Sequence, residues 1–450
     1  MEIRIKQSTI ILPAKETPKH FLPSSDLDLV APAVYVPTVL FYRPRTNHNS
    51  SNFFEARRLK ESLSNVLVSF YPIAGRLRKD ENGRIEIDCN GGGILFMEAE
   101  ANCDIDDLGD FSQGFKLLPL VPTVDHTKEA SSHPLMVTQV TYFKCGGACL
   151  GVRLHHILVD GVSKSHFINT WADVTRGLPV KIQPFFDRNI LTVGVPTSPT
   201  FHHTEYDPPP SMNTPDQNLQ SHSNPESIST AILKLSLDQI LTLKEKCKTD
   251  HESTIKYSRF EIIAAHIWRC VCKARGLSDD QVTKLHNPTS GRSRLNPPVP
   301  SGYFGNVIFT ATSIAFSGDI QSEPLNCVVD RIHNALKKMD DKYLKSALSY
   351  LKQQFDPRRL GRGANTFKSP NLNIVDLVQM PMYNADFGWG KPFFVRPVNT
   401  YFEGISHILP SPTDDGSLSV IINLETQHMQ LFKKFFYEIF LQHQNTRSRY

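Results

Sequence analysis

The chain has 450 residues, of which 40% are hydrophobic and 10% aromatic, and this composition supplies a large core and excludes wholesale disorder. The 49 basic and 45 acidic residues leave a formal net charge of +4, which is too small a surplus for a nucleic-acid-binding surface. No run of residues reaches the ~18 apolar positions that a membrane span requires.

The first half of the chain predicts strands followed by a helix. Residues 1–6 alternate apolar and charged side chains, which predicts a strand and not a signal peptide. Residues 137–143 and 148–154 have strand composition and flank a Gly-Gly turn. Phe167, Trp171 and Val174 recur at helical spacing. Since eight cysteines in so long a chain do not indicate a disulfide scaffold, we expect a reduced, cytoplasmic protein without membrane insertion.

A proline-rich segment separates two halves of similar size. Prolines cluster between residues 179 and 227, where they disfavour long helices and central strands; we expect His202 and His203 to be exposed there. We therefore predict an N-terminal lobe over 1–178, a crossover loop over 179–227 and a C-terminal lobe over 228–450. In the last of these, 344–351 and 429–439 predict helices and 418–424 a strand. Two α+β lobes that meet face to face leave a cleft between them.

The strongest chemical signal lies where the second of the two early strands ends. His155 and His156 precede Asp160 and Gly161, and histidine is the side chain best suited to accept a proton near neutral pH. A plain alternative is a histidine pair at a strand end, with Asp160 capping the next helix. A metal site is a third reading, but adjacent histidines in a strand point to opposite faces and no further ligand follows at zinc spacing.

A second signal is a helix start at Ser258. Ser258 and Glu261 fit a capping box, and Lys256 and Arg259 flank the positive end of the predicted helix. Such an end binds phosphate readily. The alternative is an ordinary capped helix with solvated charges.

Two motifs together give a resemblance to a known family. The first is His156-x-x-x-Asp160-Gly161, and the second is Asp-Phe-Gly-Trp-Gly at 386–390. With the segments 70–77 and 303–306, they make the chain similar to the plant BAHD acyl-CoA-dependent acyltransferases. Residues 83–90 and 167–171 resemble its hydroxycinnamoyl-CoA shikimate/quinate transferase and rosmarinate synthase branch.

The resemblance implies an α+β fold of two chloramphenicol-acetyltransferase-like lobes, each a mixed sheet with helices, with a channel between them. It implies a monomer without a permanently bound cofactor, which takes acyl-CoA as co-substrate and an alcohol or amine as acceptor. His156 would be the general base, and Asp160 would support it by pairing with Arg292 or Arg294. CoA contacts would come from Lys256, Ser258 and Arg259. A structural role falls to Asp386, Gly388, Trp389 and Gly390, with simple core packing as the alternative for Trp389.

The acceptor is less clearly defined by the resemblance. Arg362 aligns with an arginine that binds the shikimate or quinate carboxylate, whereas Thr38, Leu40 and Val375 occupy pocket positions where the branch has other residues. Val375 replaces a threonine and cannot donate its hydrogen bond. The alternatives are therefore a hydroxyphenyllactate-type acceptor, an amine, or an aliphatic or benzoyl donor.

Two other classes share part of the pattern. Residues 155–161 also satisfy the HHxxxDG of peptide-synthetase condensation domains, but no carrier or adenylation segment is present and the motif at 386–390 does not belong to them. A catalytically silent binding protein on the same scaffold is the non-enzyme alternative.

Overall fold

The fold is taken from a computed structural model that describes residues 1–44, 53–112, 114–124, 130–213, 227–248, 256–361, 363–398, 402–413 and 415–447. The strands are β1 (Ile3–Ile11), β2 (Phe21–Pro23), β3 (Tyr35–Tyr42), β4 (Arg76–Lys79), β5 (Ile85–Asp88), β6 (Ile94–Ala101), β7 (Met136–Tyr142), β8 (Ala148–His155), β9 (Ile228–Leu235), β10 (Val282–Ser290), β11 (Ile308–Phe316), β12 (Leu372–Asp376), β13 (Phe394–Pro397), β14 (Ile405–Pro410) and β15 (Leu418–Glu425).

The helices follow the same chain order and alternate with the strands. They are α1 (Asp26–Val30), α2 (Ala56–Ser69), α3 (Gly114–Leu117), α4 (Gly161–Thr175), α5 (Leu237–Lys246), α6 (Arg259–Ala274), α7 (Ser317–Ser322), α8 (Leu325–Lys337), α9 (Asp341–Lys352), α10 (Ala364–Phe367) and α11 (Thr426–Arg447). Among the described residues, none of these helices is both long and apolar enough to cross a bilayer.

The first sheet has the strand order β1-β6-β7-β8-β3-β13. Its pairs are antiparallel except β6 and β7, which run parallel. Helices α2 and α4 pack together over one face, where Trp171 and Phe167 are fully buried. A small sheet of order β2-β5-β4 completes this half.

The second sheet has the order β11-β10-β12-β14-β15-β9 and is also mixed. Strands β10, β12 and β14 run parallel, and the outer pairs are antiparallel. Helix α6 packs against α8 and α11 and buries Trp268 in the core beside the sheet. The predicted fold class, two mixed sheets with helices, is confirmed.

One segment does not follow the predicted division of the chain. Strand β13 pairs with β3, so that Phe394 opposes Phe41 and Pro397 opposes Thr38. The preceding segment packs Phe387 into the core of the first sheet. The prediction that 228–450 forms a single C-terminal lobe carrying 386–390 is therefore wrong for this segment, because the edge of β3 that β8 leaves free is completed by a strand from the second half.

The crossover is described only in part. Residues 214–226 lie outside the described residues, whereas residues 179–213 run along the surface with a short 3₁₀ turn at Arg188–Thr192. Phe185 bridges to Tyr303 of the second half. His203 is buried, contrary to expectation, because Glu205 and Ser346 satisfy its two ring nitrogens.

Candidate active site

A cavity of about 860 Å³ lies between the two sheets. Strands β3 and β8 and the first turns of α4 form one side, and β10, β11, β12 and β14 form the other. Its walls are mainly apolar. A deep apolar cavity with a few polar groups is typical of a site for small molecules.

His156 comes directly after β8 and lines this cavity. Its backbone N–H donates to the Val34 carbonyl at 2.9 Å, which anchors the turn. Its Nδ1 is buried and makes no hydrogen bond of normal geometry in the described part of the chain, whereas the residue as a whole is part-buried. Burial lowers the pKa of His156 below its usual 6.5, against the opposing charge of Asp160. The imidazole is therefore neutral near pH 7 and able to accept a proton.

Asp160 is fully buried, and its carboxylate is bound by groups from other parts of the chain. Its carboxylate pairs with Arg292 through two contacts, Oδ2 to Nη1 at 2.5 Å and Oδ1 to Nη2 at 3.1 Å. It also accepts the backbone N–H groups of Ser163 at 3.0 Å and Val307 at 3.1 Å. Asp160 therefore caps α4 and holds the loop after β10 at the same time. Arg294, the other candidate partner, instead donates to carbonyls at the end of α8.

Asn306 fixes the other side of the His156 turn. Its Nδ2 donates to the carbonyls of His156 at 2.9 Å and Ile157 at 3.2 Å. Its backbone N–H and Nδ2 both reach Asp28, at 2.8 and 2.9 Å. The backbone of the turn that carries His156 is thus held by the Val34 carbonyl and by the Asn306 side chain, both far away in the sequence.

The geometry does not favour a metal at this turn. Asp160 is engaged by Arg292 and by two backbone N–H groups, and the His155 ring packs on Tyr35 with centroids 4.9 Å apart. The described residues contain no cluster of three or more His, Cys, Asp or Glu side chains suited to a metal ion.

Three of the four residues predicted for the acceptor line the cavity, namely Thr38, Leu40 and Val375. Arg362 lies outside the described residues. Val375 opposes His407 in the parallel pair β12–β14, and His407 also lines the cavity. Burial lowers the pKa of His407 to about 4, so this second ring is neutral.

Sequence reasoning missed His407 and Lys164, both of which line the cavity. Lys164 had a usable signal, because it lies one helical turn after Asp160 and therefore on the same helix face. His407 had none, since its placement depends on which strands pair with β14 in the second sheet.

The predicted CoA residues do not line the cavity, but the charge of Arg259 acts on a residue that does. Ser258 caps α6 in a reciprocal capping box with Glu261, and Lys256 and Arg259 are exposed beside it. Asp376, at the end of β12, lines the cavity; burial raises its pKa, and the charge of Arg259 acts in the opposite direction. The positive charge of Arg259 therefore acts on the carboxyl group of Asp376 at this end of the cavity.

The segment 386–390 forms a tight turn outside the cavity lining. Asp386 Oδ1 accepts the backbone N–H groups of Gly388 at 2.8 Å and Gly390 at 2.9 Å. Both glycines have a positive φ, +103° and +106°, which favours glycine at these positions. Trp389 packs on Phe54, with ring centroids 5.3 Å apart, and beneath the guanidinium of Arg58.

Comparison with known proteins identifies the family. The model of the Transferase family matches residues 1–439. The chain belongs to this family. A shikimate O-hydroxycinnamoyltransferase of Nicotiana tabacum is 52% identical over 439 residues, covering 97% of this chain and all of the relative. A rosmarinate synthase of Plectranthus scutellarioides is 47% identical over 444 residues, covering 98% of this chain and all of the relative.

Solved structures agree with the fold of this Transferase family member. Vinorine synthase superposes with a TM-score of 0.76 at 21% identity, covering 97% of this chain and 98% of that one. The TRI101 of F. sporotrichioides, complexed with coenzyme A and T-2, gives 0.71 at 18% identity, covering 92% and 97%. The resemblance to BAHD proteins is confirmed, and the protein is an acyl-CoA-dependent acyltransferase.

Proposed function

We propose that the protein transfers a hydroxycinnamoyl group, such as coumaroyl or caffeoyl, from CoA to a hydroxyl of a carboxylate-bearing acceptor such as shikimate or quinate. The observation that carries this proposal is the 52% identity, over the whole length, to a shikimate O-hydroxycinnamoyltransferase. The neutral His156 in the cavity supports the same chemistry.

In the proposed mechanism, His156 removes the proton of the acceptor hydroxyl as the oxygen attacks the thioester carbonyl. The C–S bond then breaks, and the proton passes from the imidazole to the departing CoA sulfur. No covalent acyl-enzyme is needed, because one cavity holds both substrates. A placed base contributes roughly 10²–10⁴ in rate, and holding two reactants together contributes further.

The remaining residues take supporting parts in this proposal. Asp160, through Arg292, keeps the His156 turn in place. Lys256, Ser258 and Arg259 meet the CoA phosphates at the start of α6, where free N–H groups and cations coincide. Asp386, Gly388, Trp389 and Gly390 maintain the architecture around the first sheet.

Acceptor binding falls to Arg362, Thr38, Leu40 and Val375. Arg362 would pair with the acceptor carboxylate, and the three others would shape the pocket.

We place the protein in the cytoplasm as a monomer without a permanent cofactor. Apart from the segment around β13, we retain the boundaries 1–178, 179–227 and 228–450 for its parts.

A second acceptor is supported by a specific observation. A rosmarinate synthase is 47% identical to this chain, and the apolar Val375 would not hold a polyol by hydrogen bonding. A hydroxyphenyllactate-type acid therefore remains the alternative acceptor for the same mechanism.

The test is to follow thiol release and product mass with p-coumaroyl-CoA and a panel of acceptors: shikimate, quinate, hydroxyphenyllactate, malate and several amines. We expect acceptor-dependent release that falls by about 10²–10⁴ in His156→Ala. The control is His202→Ala, which removes an exposed histidine outside the cavity. Transfer only from acetyl- or benzoyl-CoA would contradict the proposed hydroxycinnamoyl donor. Thiol release that does not depend on His156 would contradict the proposed mechanism.

A further inference from the structure

Lys164 occupies an unusual place beside the proposed base. Its backbone N–H makes the first helical hydrogen bond of α4, to the Asp160 carbonyl at 2.9 Å. Its side chain crosses to β3, where Nζ donates to the Val36 carbonyl at 3.1 Å and the Thr38 hydroxyl at 2.5 Å. Lys164 thus lies on the cavity wall and has two neutral oxygens as partners.

The ammonium of Lys164 has no counter-charge in the described part of the chain. No carboxylate lies within 4 Å of Nζ among those residues, and no further contact is recorded for it. Burial lowers the pKa of Lys164 to about 7. Lys164 is part-buried, and a cation withdrawn from water without an anion beside it is costly, so an anionic group of a bound substrate would be stabilised at this position.

Lys164 also lies within reach of a substrate held by His156. The Val34 carbonyl accepts from the backbone of His156, and the Val36 carbonyl accepts from Lys164 Nζ. Both His156 and Lys164 line the same cavity, beside the start of β3. The charge of Lys164 also lowers the pKa of His156. A small hydroxy acid can therefore place its hydroxyl at His156 and its carboxylate at Lys164.

We propose that Lys164 binds the carboxylate of the acceptor and so makes the enzyme select hydroxy acids over neutral alcohols. The proposal deepens the function above and rests on it for the acyl-transfer step. It adds a carboxylate contact from α4 to the one that the family resemblance assigns to Arg362.

The test compares each acid with its methyl ester as acceptor, in the wild type and in Lys164→Met. We expect Lys164→Met to lower kcat/KM for the acid at least about tenfold, mainly through KM, because a charge-assisted hydrogen bond is lost. The ester should change less than about threefold. Lys164→Arg keeps the charge and should retain part of the preference for the acid.

The matched control is Lys345→Met. Lys345 is also part-buried and donates to a backbone carbonyl, that of Asn296, but it pairs with Asp341 and does not line the cavity. We expect it to leave the ratio of acid to ester unchanged. Thermal unfolding of each variant separates loss of folding from loss of binding.

Calorimetric titration with the same acids and esters makes the result independent of turnover. Tighter binding of acid than ester in the wild type, lost in Lys164→Met, supports the proposal even if no transfer occurs and the proposed function fails. Acid and ester that bind alike, no binding of any acid, or a preference that survives in Lys164→Met but disappears in Arg362→Ala would overturn it.

Discussion

The protonation state of His156 depends on the groups that face it in the cavity. Burial lowers its pKa, the nearby charge of Lys164 acts in the same direction, and the charge of Asp160 acts against them. Because Asp160 is paired with Arg292, its influence is partly neutralised. The base form is therefore the one populated at neutral pH.

This leads to a prediction for the pH profile. Since the pKa of His156 is lowered, the imidazole becomes protonated only as the pH falls through a value below 6.5. We expect kcat/KM to be constant at neutral pH and to fall on the acid side with a midpoint below 6.5. The measurement should use an ester acceptor, because Lys164, with a pKa of about 7, would add its own titration to the binding of an acid.

Lys164→Met serves as the internal check on that profile. Removal of the positive charge should move the acid midpoint upward, toward the ordinary pKa of histidine. An acid midpoint at pH 7 or above in the wild type would show that His156 is not the group whose protonation limits the rate.

At the scale of elements, helix α4 and the loop after β10 share a single carboxylate. Asp160 caps α4 and pairs with Arg292 in a buried position. Asparagine caps a helix about as well as aspartate, but it cannot neutralise Arg292. We expect Asp160→Asn to reduce the free energy of unfolding by about 3–5 kcal/mol, the usual cost of leaving one partner of a buried pair unmatched. Urea denaturation measures this difference.

The control for this prediction is Asp340→Asn. Asp340 caps α9 by accepting from the Tyr343 N–H at 2.9 Å, but it is exposed and has no arginine partner in the described residues. Its substitution should change stability by less than about 1 kcal/mol. Equal effects of the two substitutions would show that Asp160 acts only as a cap.

Elements with local signals could be predicted from the sequence. Helix α6 begins after Ser258 because four consecutive residues, from Ser258 to Glu261, form its capping box. The pair β7–β8 forms around a glycine turn, and α4 begins directly after Asp160. These features depend on neighbours in the chain, and so does the motif at His156. Whether Arg292 or Arg294 would reach Asp160 could not be chosen, because that depends on how a long loop returns to α4.

Features that depend on distant pairing could not be predicted. Strand β13 joins the first sheet because it pairs with the free edge of β3. No pattern of neighbouring residues in the sequence indicates that β3 has a free edge. His203 has the sequence context of an exposed loop, yet the fold brings Ser346 from α9 to within 2.9 Å of it. The burial of His203 therefore depends on a hydrogen bond between distant segments and not on the composition of the residues around it.

At the scale of the whole molecule, one buried ion pair joins the three parts of the chain. Asp28, near the N-terminus, pairs with Arg188 of the crossover at 2.9 Å. Arg188 also donates to the Phe304 carbonyl at 2.6 Å, and Asn306 donates to Asp28. Since Asn306 also holds the carbonyl of His156, the contact that joins these parts also supports the proposed active site.

We therefore expect Arg188→Met to destabilise both halves together. The substitution leaves Asp28 buried without its partner, which costs about 3–5 kcal/mol, whereas Arg358→Met at the exposed pair with Asp356 should cost less than about 1 kcal/mol. Calorimetry should show a single transition that moves to lower temperature, with transferase activity lost over the same range. Two separate transitions, with only one of them displaced, would mean that the halves are stable independently, and the Asp28–Arg188 pair would then act within one of them only.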